Sequence, residues 1–212
     1  MTEFNFTVDE SFARTHNEFF RDARRFQWSA GILGLLFLVA TVVLVLVGTG
    51  LTVTVGVACG IMALLCLVMV PVLPRQLGSP QSYYDRYDLV PAVVAKVNPR
   101  DVVLLALVDT AVDGTGEPST PALAVRTVTS VPGIRRVVGE HVPSMAVTGM
   151  RTTRNRNHWE EISPMPVAWG TKDRAVIDAA DGAVPAGRWR KLEGLVGRVD
   201  EVEATRRRLL EL

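Results

Sequence analysis

Three histidines, His16, His141 and His158, are the side chains best suited to ligate a metal or move a proton near neutral pH. None has another histidine or a cysteine at ligand spacing, so they point to no metal centre. Gly114-x-Gly116 comes nearest to a phosphate loop. It lacks the third glycine and the Lys-Ser/Thr pair that would cradle phosphate. No G-x-S-x-G elbow for a nucleophilic serine is present. Glu160 and Glu161 are adjacent, and in a strand their carboxylates would face opposite sides, unable to share one substrate. No catalytic residue, cofactor or metal is expected, and the chain reads as a non-enzyme.

One basic stretch remains, Arg151 to His158, followed by Trp159. Arg151, Arg154 and Arg156 could meet anionic lipid headgroups, at about 1 kcal/mol per basic residue near the surface, or an acidic partner. Trp159 could stack on a base of single-stranded nucleic acid. A solvated hairpin tip explains the same residues. Nucleic acid is not expected, because beyond residue 27 there are 19 Lys and Arg against 17 Asp and Glu.

These groups hang on a chain divided by a long apolar interval. From Trp28 to Pro74 there is no Asp, Glu, Lys, Arg, His, Asn or Gln. A charge at mid-membrane costs roughly 2.5–3.5 kcal/mol on insertion scales, so this separation is what a bilayer demands. Trp28–Val47 and Leu51–Leu73, of 20 and 23 residues, each suffice to cross the hydrocarbon core. Gly48-Thr49-Gly50 between them can turn sharply, and a single helix would outrun any bilayer. A transmembrane hairpin over 28–74 follows. Arg21, Arg24 and Arg25 precede it, Arg75 and Arg86 follow it, and the turn has no charge, which puts both termini in the cytoplasm of a two-pass protein of the inner (plasma) membrane. Trp28, Arg24, Arg25 and Arg75 are its interfacial anchors. The acidic start, with Glu3, Asp9 and Glu10, is unlike a secretory signal.

Thr52, Gly56 and Gly60 form a small-residue stripe for close helix packing, against the first span at Ala30 and Gly34 or against another subunit. Cys59 and Cys66 are about 10 Å apart along the helix axis, too far to bridge. The spans hold no histidine for haem and no ionisable group for a proton or ion path, so they are an anchor or a packing element.

Before the membrane, residues 1–27 suggest an amphipathic helix. It starts at a Thr7-x-x-Glu10 capping box and carries Phe12, Phe19, Phe20, Ala23 and Phe26 on one side. That side could lie on the membrane, dock on a partner, or cover the chain's own soluble domain. After the spans, 75–88 is a juxtamembrane linker with Tyr83, Tyr84 and Tyr87. Residues 89–171 offer five strands: Leu89–Val97, Val102–Val112, Ala122–Val131, His141–Thr152 and Ile162–Trp169. Together with residues 172–212 they predict an α+β cytosolic domain: a small five-stranded barrel of OB or SH3 type, a short helix from Thr171-Lys172-Asp173, and a longer C-terminal helix on which Leu192, Leu195, Val199, Val202 and Leu209 recur.

Trp159-Glu160-Glu161-Ile162-Ser163-Pro164-Met165-Pro166-Val167-Ala168-Trp169-Gly170-Thr171 resembles a signature of an actinobacterial family of uncharacterised membrane-anchored proteins. Gly139-x-x-Val142-Pro143 and Trp189-x-x-Leu192 are similar to it as well, and the likeness runs over roughly residues 75–205. It implies a cytosolic β-rich domain behind two membrane helices and transfers no functional residue. In general plan the chain is also similar to accessory subunits of the actinobacterial respiratory supercomplex joining cytochrome bcc to cytochrome oxidase.

The function expected from this is a non-catalytic accessory or scaffolding subunit of a larger inner-membrane complex, with membrane lipids and that complex as partners. The alternative is a membrane-tethered module whose β domain binds a lipid headgroup, a peptide or nucleic acid.

Overall fold

Asp9 and Asn17 punctuate the start of the chain. The Asp9 carboxylate accepts from the Phe12 amide at 3.0 Å and opens helix α1 (Glu10–His16), a role expected of Thr7. Asn17 then caps α2 (Glu18–Val47), its side chain accepting from the Phe19 amide at 3.0 Å. The continuous amphipathic helix is therefore broken, because an asparagine oxygen competes for the amides that a running helix would leave to its carbonyls. The computed structural model describes residues 3–112, 116–152 and 156–212, with the side chains of Pro74, Gln76 and Leu77 excepted. It divides into two compact units, Asn17–Ser79, and Met1–His16 with Pro80–Leu212.

The first unit is the apolar hairpin. Helix α2 stops at Gly48, which takes the left-handed conformation at φ 75° that an L side chain resists. Thr49 restarts the chain as α3 (Gly50–Leu77) through a reciprocal capping box with Thr52. Both helices are long and apolar enough to cross a membrane. Their outer faces are bare hydrocarbon, with Leu46 80% and Leu51 78% exposed. At the seam the glycines admit the opposite helix. A Cβ on Gly34 would lie 2.9 Å from Leu67, one on Gly56 3.2 Å from Val45, and one on Gly60 3.4 Å from Thr41. Gly56 and Gly60 thus receive the chain's own first span at Thr41 and Val45, about two turns or more from the Ala30 and Gly34 anticipated there.

Lower on the seam, the Gln27 amide donates to the Val70 carbonyl at 2.8 Å. Four residues on stands Pro74, which has no N–H to return to that carbonyl. The last polar side chain before the apolar interval supplies the bond the helix lacks.

The second unit begins with the N-terminal segment, which docks on it. Phe6 meets Tyr84 edge-on at 5.2 Å, the Asp9 amide donates to Gly170 at 2.9 Å, and Gln81 bonds both the Phe6 carbonyl and the Val8 amide. Gln81 and Tyr84 lie on α4 (Pro80–Tyr84), so the presumed linker contains an ordered turn of helix.

Seven strands follow among the described residues: β1 (Leu89–Val90), β2 (Ala92–Val97), β3 (Val102–Asp109), β4 (Pro121–Val128), β5 (Ser144–Thr148), β6 (Ile162–Pro166) and β7 (Leu209–Glu211). They form two antiparallel sheets, β1-β5-β6 and β2-β3-β4-β7. The five-stranded closed barrel is not what forms. Pro91, lacking an N–H, splits the first anticipated strand, sending β1 to one sheet and β2 to the other. Strand β3 is buried from Val102 to Val108 and reads as a continuous apolar run for that reason. A bridge between Val93 and His141 stitches β2 to the chain entering β5.

Asp173 caps α5 (Arg174–Ala183) as the sequence predicts. The longer C-terminal helix does not form. In its place stand α6 (Ala186–Glu193), a 3-10 turn (Val196–Arg198) and α7 (Val199–Ala204), interrupted at Gly194 and Gly197. Arg208, at φ 53°, then turns Leu209–Glu211 into β7 along the edge of β4. Trp169 fills the core, with its indole N–H on the Ser130 carbonyl at 2.9 Å.

Gly34→Leu drives a side chain into Leu67 and Cys66 and will destabilise the hairpin by roughly 1–3 kcal/mol. Gly50→Ala, with nothing within 4 Å of its new methyl, will stay within about 0.5 kcal/mol of wild type. Reversible unfolding in mixed micelles measures both.

Candidate functional site

The end of β3 opens a cleft of about 410 Å³ in the second unit. Strand β3 is apolar until Asp109, where the chain must turn toward β4. The Asp109 carboxylate accepts from the amides of Ala111 at 3.0 Å and Thr120 at 2.9 Å, and from the Ser119 hydroxyl. These bonds close the turn and leave the carboxylate structural. Partial burial opposes its charge, but the three donors and the nearby Arg188 guanidinium outweigh burial and hold its pKa below the ordinary value.

Arg188 enters the cleft from α6 and donates to the Leu107 carbonyl at 2.9 Å. Burial lowers its pKa, while Asp109 and Asp88 act in the opposite direction. An arginine stays cationic under such a pull, so this is a fixed, half-buried charge with unspent N–H groups. Arg86, Tyr87 and Asp88 contribute from the segment entering β1, and Ala146, Thr148 and Gly149 from β5 and the residue after it. The layer beneath is made of small side chains, Ala92, Ala106, Ala122 and Ala124, packed with Val90, Val108 and Ile162 from both sheets.

Trp159 is the aromatic wall. Its position is set by backbone pairing to the end of β3: the Trp159 amide donates to Thr110 at 2.7 Å and the Val112 amide to Asn157 at 2.9 Å. The Arg151 guanidinium covers the indole at 4.4 Å. Arg151 and Trp159 therefore act as one stacked unit. Arg156 contributes its carbonyl, 3.5 Å from the Arg151 side chain, and Arg154 lies outside the described residues, as does Gly114. Glu160 pairs with Arg207 while Glu161 backs onto Gly149, so the two carboxylates do diverge.

The three histidines lie on different segments. His141 lies between Asp181 (2.9 Å) and Glu193 (3.1 Å), stacked on Trp189, while His158 contacts Thr110 and His16 lies on Phe12. Among the described residues no group of three or more His, Cys, Asp or Glu is arranged to hold a metal. In the hairpin unit, Arg25 pairs with Asp22 and Arg21 with Glu18, while Arg24, Arg75 and Trp28 are exposed. Thr52 is spent in its capping box.

Sequence reasoning missed Arg188, Asp109, Arg86 and Asp88. The available signal was Asp109, an acid ending an otherwise unbroken apolar strand. Arg188 gave none, since an arginine on a short helix reads as solvated.

The profile of the protein family of unknown function DUF3239 matches residues 75–200, and the chain belongs to that family. A crystal structure from Corynebacterium diphtheriae, described as a candidate membrane protein, is 48% identical over 59% of this chain and 100% of the other, with a TM-score of 0.56. An actinobacterial relative and the matched span agree with the resemblance drawn from the Trp159–Thr171 stretch. The likeness to respiratory supercomplex subunits has no counterpart in these matches. No curated protein matches the chain.

Asp109→Asn will lower the melting temperature most at neutral pH. A carboxylate with a depressed pKa contributes fully above its unfolded value of about 3.9 and loses that contribution as pH falls through its folded value. The gap between variant and wild type will therefore close below about pH 4, as thermal melts across pH will record.

Proposed function

We propose that this family member is a non-catalytic, membrane-tethered binding module. Its cleft would take a small ligand with an apolar ring or chain against Trp159, Ala111 and Ala146 and a polar group on Arg188. The observation that carries this is Arg188 itself, a half-buried cation held over an apolar floor beside a carboxylate that accepts three bonds from its own turn. Orientation by one fixed charge and affinity from a small apolar wall suit recognition. Both carboxylates of the cleft, Asp109 and Asp88, act on Arg188 electrostatically, which suits a charge fixed for recognition. Native mass spectrometry of the full chain in gentle detergent will show a stoichiometric small molecule, lost on Ala146→Phe and weakened at least tenfold by Arg188→Met, where about 1.4 kcal/mol is tenfold. A wild-type protein empty under these conditions, and unchanged by cell-extract metabolites, would defeat the reading.

The tether is a two-pass anchor in the inner membrane with both ends cytoplasmic. Support comes from the arginines on both flanks of the hairpin, the uncharged turn and the lipid-ready outer faces. An accessibility reporter at Thr49 will be labelled from outside the cell and reporters at either end from inside; a cytosolic Thr49 would reverse it.

A second reading, an accessory subunit of a larger membrane complex, draws on Val137 and Val138, adjacent and 57% and 54% exposed on the soluble unit. Mild-detergent purification would then recover a stoichiometric partner, cytochrome bcc and oxidase subunits among them if the respiratory assembly is its home. Replacing both valines by serine would release that partner.

A further inference from the structure

We infer that the cytoplasmic end of the hairpin holds one anionic phospholipid, its headgroup on Arg24 and an acyl chain along Gly31. The inference rests on the two-pass membrane reading and is independent of the cleft in the soluble unit.

A groove of about 500 Å³ lies on the hairpin, lined by Arg24, Gln27, Trp28, Gly31, Ile32 and Leu35 of α2 and by Val70 of α3. Helical spacing puts Arg24, Trp28, Gly31, Ile32 and Leu35 on one face, with the cation at the polar end and hydrocarbon beyond it. The groove exists because Gly31 has no side chain. A methyl there would reach only ordinary contact with Val70, at 3.7 Å, so anything longer would occupy the groove itself. Its wall is stiffened by the Gln27 bond to the Val70 carbonyl.

Charge chooses the occupant. Around the groove mouth Arg21 pairs with Glu18 at 3.3 Å and Arg25 with Asp22 at 4.0 Å. Arg24 makes no ion pair among the described residues, leaving one uncompensated positive charge at the groove. A single net negative headgroup matches it; a zwitterionic one does not. A free phosphate would satisfy Arg24 but leave Trp28, 66% exposed, and Ile32, 59% exposed, uncovered. A lipid satisfies both ends.

Trp28 is also the reporter, since Trp159, Trp169 and Trp189 all lie in the soluble unit. The full chain is reconstituted in phosphatidylcholine vesicles carrying either brominated phosphatidylglycerol or brominated phosphatidylcholine at equal mole fraction. The Trp28→Phe signal is subtracted as background. The relative binding constant at Trp28 will favour the anionic lipid about fivefold, the equivalent of about 1 kcal/mol per basic group. Arg24→Gln will bring the ratio to about one, Gly31→Leu will abolish the preference by filling the groove, and Arg25→Gln combined with Asp22→Asn, which removes that ion pair whole, will leave it intact. Equal quenching by the two lipids in the wild type, or a preference that survives Arg24→Gln, overturns the site while leaving the membrane anchor standing. No quenching of Trp28 by either lipid overturns the anchor and the site together.

Discussion

A backbone amide or carbonyl taken out of water must find a hydrogen-bond partner, and the breaks in this chain's regular structure occur where that demand is met in a particular way. Pro74 withholds an N–H from the Val70 carbonyl, and Gln27 supplies one from the neighbouring helix. At the hairpin tip Gly48 and the Thr49–Thr52 capping box terminate one helix and start the next without a charge. In the second unit Pro91 cannot donate, and the chain changes sheets there. Asp109 gathers the amides of Ala111 and Thr120 where β3 gives way to a turn.

The same requirement builds the cleft. Asp109 is held by the turn, and its charge favours a cation nearby. Arg188 answers that charge and anchors on the Leu107 carbonyl. The bonds that tie Trp159 and Asn157 to the end of β3 bring the aromatic wall across from it. The cleft's polar groups are thus held by backbone and its walls by strand pairing.

The hairpin could be read from residues 28–74 because lipid selects on composition alone, and no tertiary contact is needed to see where charges are missing. The five anticipated strand segments contain β1 to β6 for a similar reason: short valine-rich runs such as Val102–Val108, bounded by turn residues, favour extended chain. Their arrangement was not. Pro91 stands inside an apolar run, and whether it ends a strand at an edge or lets it pass to a second sheet depends on partners distant in sequence. The last helix failed more plainly. Leu192, Val199 and Val202 do face inward, yet Gly194, Gly197 and the left-handed Arg208 divide the segment, and Leu209–Glu211 find a vacant edge on β4. Local periodicity has no means of registering an open strand edge.

What the chain's order of residues settles unaided is where it meets lipid, where it turns, and which stretches bury apolar surface, because each is a solvation preference of neighbouring residues. Only the tertiary structure decides that Gly56 and Gly60 accept the chain's own first span, that the N-terminal segment packs on α4 and Gly170, and that Arg188 shares a cleft with Asp109. Those pairings join residues tens of positions apart, and their energy exists only once folding has brought both partners out of water to the same place.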